Sequence, residues 1–217
     1  TPAAPDQVPL LAAAASDTSS PGSVVIEEKI FRYNACDFME YLKKNADIIT
    51  EEWLYAALPW IINKASTAKG KWTKYSKTKI KHLFDETARR GYLRIFTDHA
   101  TEEFLHAMNT NMYRNGAVAI GAAAAKSGHL DVLKWLRSQD PPCPWNEGTS
   151  ACAAGNGHLD GLKWMRSQDP PCPWYHKASN AAARKGHFDV LKWLVDNGCP
   201  YDVRLGGRSA YEKLGLA

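Results

Sequence analysis

No stretch of this sequence stays apolar for long enough to cross a membrane. The longest apolar run, residues 54–62, contains Pro59 and is well short of the roughly 20 residues that a membrane-spanning helix needs. Paired cysteine motifs are also absent, because the five cysteines form an odd number and none belongs to a Cys-x-x-Cys pair. These absences argue against a transmembrane protein, a closed disulfide framework and a zinc ribbon. We expect a protein without a bound metal or cofactor.

Charge of one sign is not in large excess either. The net charge of +4 arises from 27 basic and 23 acidic residues, which is mild for a nucleic-acid-binding module. One interval is locally extreme, because residues 64–81 contain seven lysines, Trp72 and Tyr75 but no acidic residue. Lysine neutralises phosphate and aromatic rings stack on bases, so binding of nucleic acid or an anionic membrane is the alternative functional hypothesis. Its predicted contacts are Lys69, Lys71, Lys74, Lys77 and Lys79.

What the sequence does contain is an internal repeat. Gly-His-Leu-Asp-Val-Leu-Lys-Trp-Leu at 128–136 recurs in closely similar form at 157–165 and again at 186–194, a step of 29 residues each time. An Ala-rich stretch precedes each copy, and a loop ending in Cys-Pro-Trp or Cys-Pro-Tyr follows it. Each unit is therefore predicted to consist of a short Ala-rich helix, a glycine turn, an apolar helix and a Pro-rich loop.

The apolar helix of each unit is too hydrophobic to be stable alone. On a helical wheel the apolar residues of 130–136 cover more than half the circumference and leave chiefly Asp131 and Lys134 outside. Stacking one unit on the next buries such an arc continuously, and alanine in the partner helix allows two helical layers to approach closely. The period therefore predicts an all-α solenoid of helical repeats, preceded by an N-terminal helical segment.

The rest of the chain is assigned around this repeat. Residues 1–23 are rich in Ala, Ser and Pro without periodicity, which indicates a flexible tail. The predicted organisation is a tail at 1–23, an N-terminal helical segment at 24–77 with a Lys-rich loop at 64–81, and repeats at 78–217. The repeats are degenerate at 78–115 and clear at 117–203, and a C-terminal capping unit follows at 204–217.

The Gly-His turn followed by a hydrophobic second helix resembles the ankyrin-repeat family. The variant with Cys-Pro-Trp in the loop resembles the divergent ankyrin arrays of protists, algae and large viruses. The resemblance implies a helical-repeat fold that recognises other proteins by surface complementarity. This chain lacks the Thr-Pro-Leu-His stretch usual at the first helix, and Pro-Pro-Cys-Pro-Trp replaces the hairpin with which the family usually contacts partners.

The histidines and cysteines of the repeat are candidates for chemistry that we interpret as structural. A catalytic group converges with others on one place, whereas His129, His158 and His187 recur at every step, as turn residues would. The loop cysteines likewise occur once per step, whereas a zinc ion needs about four converging ligands. We therefore expect no enzymatic activity.

The aromatic residues of the loops carry the binding hypothesis. They either staple neighbouring loops together or anchor a partner protein. The candidate partner-binding residues are Trp145, Asn146, Glu147, Trp174, Tyr175, His176 and Tyr201.

The predicted function is a protein–protein interaction module or scaffold subunit of a larger assembly. The odd number of cysteines, without the pattern of a disulfide framework, favours a reducing, intracellular setting. Because the chain begins at Thr1 instead of Met, we expect a processed product that has lost a targeting peptide, with a plastid or mitochondrion as the candidate compartment.

Overall fold

The computed structural model describes residues 50–52, 54–55, 58, 74–99 and 114–216. The predicted tail at 1–23, most of the segment at 24–77 and the interval 100–113 lie outside these residues. The described residues form helices and connecting turns and contain no β-strand, which confirms the all-α class.

The described helices alternate between a first and a second helix of each repeat. They are α1 (Lys74–Arg90), α2 (Leu93–His99), α3 (Arg114–Ser127), α4 (Leu130–Arg137), α5 (Glu147–Ala154), α6 (Leu159–Ser167), α7 (His176–Lys185), α8 (Phe188–Asp196), α9 (Val203–Gly206) and α10 (Arg208–Glu212).

The helices stack in the order of the sequence repeat. The first helices α1, α3, α5 and α7 form a row in which each contacts the next, and each first helix also contacts the second helix that follows it. In the second layer, α2 contacts α4. Successive units therefore pack side by side, so each unit is covered by its neighbours, as expected when single units cannot bury their own apolar surface.

Small residues set the spacing of the first-helix row. Ala153 and Ala154 of α5 are 1% and 0% exposed, and α5 lies between α3 and α7. A Cβ added at Gly155 would lie only 3.2 Å from the Cβ of Ala181 on α7. The backbones approach this closely because neither helix places a bulky side chain between them.

Larger apolar residues of the second helices form the rest of the core. In α4 the side chains of Val132, Leu133 and Leu136 are at most 4% exposed, whereas Asp131 and Lys134 are exposed. Burial of each such aliphatic side chain stabilises the fold by roughly 1.5–3 kcal/mol. The equivalent buried residues of the next two repeats are Leu162, Met165, Val190, Leu191 and Leu194.

The Lys-rich interval differs from the loop expected at 64–81. From Lys74 onward its residues belong to α1, which continues without interruption to Arg90. Lysine has a high intrinsic helix propensity, and tertiary packing of the later residues Leu83 and Phe84, both fully buried, holds the same helix in place. A run of like charges was therefore a poor reason to expect a loop.

Additional residues pack against the described helices towards both ends of the chain. At the C-terminal end, the fully buried Tyr211 donates its hydroxyl to Asn180 Oδ1 at 2.6 Å, and the Asp202 amide donates to the same oxygen at 3.1 Å. At the other end, the Tyr55 hydroxyl donates to Asp98 Oδ2 at 3.1 Å. Leu54 is fully buried, so residues of the N-terminal segment lie against α2 and the core.

Candidate interaction surface

The Gly-His turns are interlocking points between repeats. Gly128 and Gly157 both have φ +80°, a left-handed conformation that a residue with a Cβ rarely adopts. Space is restricted as well, because an added Cβ at Gly128 would lie 2.6 Å from His158 Nδ1, and one at Gly157 would lie 2.8 Å from His187 Nδ1. The imidazole of each repeat therefore occupies the space left by the glycine of the repeat before it.

The Nε2 nitrogens of His129 and His158 are also engaged. His129 Nε2 lies 2.9 Å from the backbone oxygen of Arg89, and His158 Nε2 lies 3.0 Å from that of Lys126. A carbonyl oxygen only accepts, so Nε2 must carry the proton and donate it. These bonds span 40 and 32 residues and join consecutive repeats, which assigns the two imidazoles a structural role.

Trp145 connects its own loop to the following repeat. It is half-buried, its ring lies 4.2 Å from the guanidinium carbon of Arg137, and it meets Trp164 of α6 edge-on at 6.1 Å between centroids. Arg137 also donates to the carbonyl of Cys143 at 2.8 Å, which fixes the guanidinium over the ring. The structure therefore places Trp145 as a staple between repeats.

Trp174 repeats this arrangement one unit later. Arg166 lies 4.0 Å from its ring centroid and donates to the carbonyl of Cys172, while Trp193 meets it edge-on at 5.7 Å. Tyr201, at the third equivalent position, stacks on Tyr211 at 5.1 Å. The two tryptophans are half-buried, whereas Tyr201 is 40% exposed.

The recurring loop cysteines are buried between adjacent loops. Cys172 Sγ lies 3.6 Å from the carbonyl oxygen of Asn146, and Cys199 Sγ lies 3.5 Å from that of Tyr175, so each thiol points to the preceding loop. Burial raises the pKa of Cys143 and Cys199 to about 11 and that of Cys172 to about 12. Neutral thiols of this kind are poor nucleophiles and poor metal ligands.

The raised thiol pKa predicts slow alkylation in the folded state. Iodoacetamide attacks through the thiolate, and because the pKa of Cys172 rises from 9.0 to about 12, its thiolate fraction near neutral pH falls far below that of a free thiol. At about pH 8 we expect the Cys172 peptide to remain unmodified in buffer and to be alkylated in urea, as measured by peptide mass spectrometry. Equal labelling under both conditions would contradict the buried thiol.

Three equivalent corners connect the loops to the first helices. Asn146 begins α5 and accepts the Gly148 amide at 2.8 Å, and Asp202 begins α9 and accepts the Arg204 amide at 2.9 Å. Tyr175 begins α7 and makes no side-chain capping bond. The backbone of Tyr175 (φ −143°, ψ −179°) nevertheless matches that of Asn146 (φ −144°, ψ −175°), so only the side chain differs.

The predicted partner-binding residues differ in their availability to a partner. Tyr175 is 55% exposed and His176 is exposed, whereas Glu147 is half-buried in the first turn of α5. Asn146 is exposed, but its side chain is engaged in the capping box with Thr149. Tyr175, His176 and the partly exposed Tyr201 are therefore the predicted residues that present the most surface to solvent.

We expect Tyr175→Asn to stabilise the folded chain. Because the backbone already matches that of Asn146, the new amide oxygen can accept a helix N–H and should add about 1 kcal/mol to the free energy of unfolding. Urea denaturation measures the change. Tyr175→Ala, which removes the ring without adding an acceptor, is the matched control, and an equal gain in both variants would contradict the capping explanation.

The lysines predicted to contact polyanions fall into two groups. Lys69 and Lys71 lie outside the described residues. Lys74, Lys77 and Lys79 belong to the first two turns of α1. Among the described residues, no group of His, Cys, Asp and Glu could hold a metal ion. No described helix combines the length and the apolarity required to pass through a lipid bilayer.

No protein-family model, curated protein or solved structure matches this chain.

Proposed function

We propose that this chain is a divergent ankyrin-type repeat protein that binds another protein through its repeat surface, as an interaction module or scaffold subunit. The observation that carries the proposal is the exposure of Tyr175 and Tyr201 in loops whose other repeated aromatics are packed between units. Exposed tyrosine on a rigid framework is typical of protein-binding surfaces, because it offers a large contact area at little cost in conformational entropy.

Binding is a better explanation than catalysis for the repeated polar residues. His129 and His158 donate to carbonyls of the preceding repeat, and the loop thiols are kept protonated by burial. A general base or nucleophile needs to be free to reach a substrate. These groups instead hold the repeats in register and thereby support a surface.

The structure of the repeat unit supports the likeness to ankyrin repeats. Each clear unit contains a short first helix of small residues, a Gly-His turn with a left-handed glycine, and an apolar second helix, and the first helices stack in a row. These features support assignment to an ankyrin-like solenoid. The loop between units is closed by an arginine over a tryptophan, so a partner would meet loop corners instead of long hairpins.

The test is affinity capture with the full chain from native extract, at moderate salt and with nuclease present. A variant with Lys74, Lys77 and Lys79 each changed to Gln provides the matched control. We expect one stoichiometric protein, identified by mass spectrometry, to be retained by both chains. Loss of everything except salt-sensitive or nuclease-sensitive material, together with its loss from the Lys→Gln variant, would overturn the proposal and favour polyanion binding through residues 64–81.

A further inference from the structure

The three loop corners occupy equivalent positions in successive repeats, so their residues can be compared directly. The corner at Asn146 places an acidic residue, Glu147, in the first turn of its helix, where a negative charge is favourable. The equivalent corner of α7 reads Tyr175-His176-Lys177, with no cap and no acidic residue in the first turn. Folding alone does not account for Tyr175 and His176, because Tyr175 provides no cap where Asn146 and Asp202 do, and His176 lacks the favourable negative charge of Glu147.

The helix α7 is also more basic than the preceding first helix, α5. The ten residues of α7 include Lys177, Arg184 and Lys185 and no acidic residue, whereas α5 contains Glu147 and no basic residue. Lys177 is exposed. Within the part of the chain that the structure describes, Lys177 forms no ion pair, so its charge is available to a partner.

The next loop adds a second aromatic residue and a second positive charge to this corner. Cys199 Sγ approaches the Tyr175 carbonyl oxygen at 3.5 Å, and the Ser179 hydroxyl donates to the carbonyl of Pro200, so this loop lies against the start of α7. Tyr201 follows directly and is 40% exposed. Arg204 is also exposed, and the Asp202 carboxylate beside it is occupied with the Arg204 amide.

We propose that this surface, the aromatic-basic corner formed by Tyr175, His176, Lys177, Tyr201 and Arg204, binds an acidic, extended segment of a partner protein. The inference rests on the proposed function and specifies the chemistry of the partner. Two half-exposed tyrosine rings provide apolar contact area and hydroxyl groups, and the exposed cations Lys177 and Arg204 complement carboxylates. The corner is less stable as a helix start than its counterparts and better suited to recognition, a combination found at functional sites.

The test is selection of displayed random peptides of about 12 residues, roughly 40 Å long when extended at ~3.3 Å per residue, on the immobilised full chain. We expect the enriched peptides to be rich in Asp and Glu. Their affinity, measured by fluorescence anisotropy, should fall about tenfold for Tyr175→Asn and for Lys177→Glu. Because Tyr175→Asn is expected to be more stable than the parent, unfolding cannot explain its loss of binding.

A matched charge reversal controls for the overall charge of the protein. Lys163→Glu changes the net charge by the same amount as Lys177→Glu, but Lys163 is exposed on α6 in the second-helix layer. We expect Lys163→Glu to leave peptide affinity within about twofold of the parent value. Equal losses in the two reversals would show a non-specific charge effect and would overturn the proposed corner.

The remaining outcomes separate this inference from the proposed function. Peptides that bind equally well to Tyr175→Asn would place the binding surface elsewhere on the repeats, overturning the corner and keeping the protein-binding function. Failure to enrich any peptide, or enrichment of basic or neutral peptides, would also overturn the acidic partner. Binding of a single-stranded oligonucleotide that depends on Tyr175 would assign the corner to nucleic acid instead. Failure of the affinity capture would by itself count against the proposed function.

Discussion

Alanine at Gly157 should lower the free energy of unfolding by about 3 kcal/mol, a large effect for the addition of one methyl group. Two causes combine at this position. The left-handed backbone, φ +80°, is unfavourable for alanine by about 1–2 kcal/mol, and the new Cβ would lie 2.8 Å from His187 Nδ1. The ring has to move, which breaks the contact between two repeats. Urea denaturation followed by circular dichroism measures the loss.

The chain contains its own control for the backbone contribution. Gly186 has nearly the same conformation, φ +77°, but nothing lies within 4 Å of an added Cβ. Gly186→Ala should therefore show only the backbone cost of about 1–2 kcal/mol. Adding His187→Ala to Gly157→Ala removes the clash, so the double variant should lose less than the sum of the single variants. Equal losses at Gly157 and Gly186 would exclude a steric role for the histidine.

Leucine at Ala153 should destabilise the chain by about 3 kcal/mol through overpacking. Ala153 is 1% exposed in α5, the helix that contacts both α3 and α7, and no space is available for three additional carbon atoms. To accommodate them, the first-helix row would have to separate on one or both sides. Chemical denaturation gives the size of the loss, and reduced near-ultraviolet circular dichroism from the neighbouring tryptophans would report the loosened packing.

The same substitution two residues earlier provides the matched comparison. Ala151 lies on α5 as well but is half-buried, so Ala151→Leu makes the same change in helix propensity with solvent available to the longer side chain. We expect its effect to stay below about 1 kcal/mol. If Ala151→Leu were as damaging as Ala153→Leu, close approach of the helices would not be the reason for the alanines.

The repeated helices could be predicted from the sequence because the same pattern of apolar and small residues recurs every 29 positions. The apolar residues of 130–136 predict a buried helix, the alanines before Gly128 predict a closely packed one, and the structure contains both as α4 and α3. The Lys-rich interval was predicted less well. Local composition indicated a loop, whereas burial of residues such as Phe84, ten positions after Lys74, stabilises a continuous helix.

The candidate site was only partly accessible from the sequence. The sequence around each glycine predicts a turn that only glycine adopts easily. It does not show that His187 fills the space next to Gly157, because that contact joins residues 30 positions apart. Packing also separates aromatic residues that look equivalent in sequence, since Trp174 is half-buried and Tyr201 is more exposed. One signal was available without a structure: aligned corners place Tyr175 where Asn146 and Asp202 provide capping side chains.

The contacts between repeats also explain how such an array can lengthen. Gly128 and Gly157 are each contacted by the histidine of the following repeat, and the backbone oxygens of Arg89 and Lys126 lie at equivalent positions next to His129 and His158. A tandem duplication of 29 residues would therefore enter the row with both of its interfaces already complementary. The nine-residue block shared without change by 137–145 and 166–174 is the expected trace of such an event. Growth by copying requires no new interface, so selection is free to act on the few corner residues that differ.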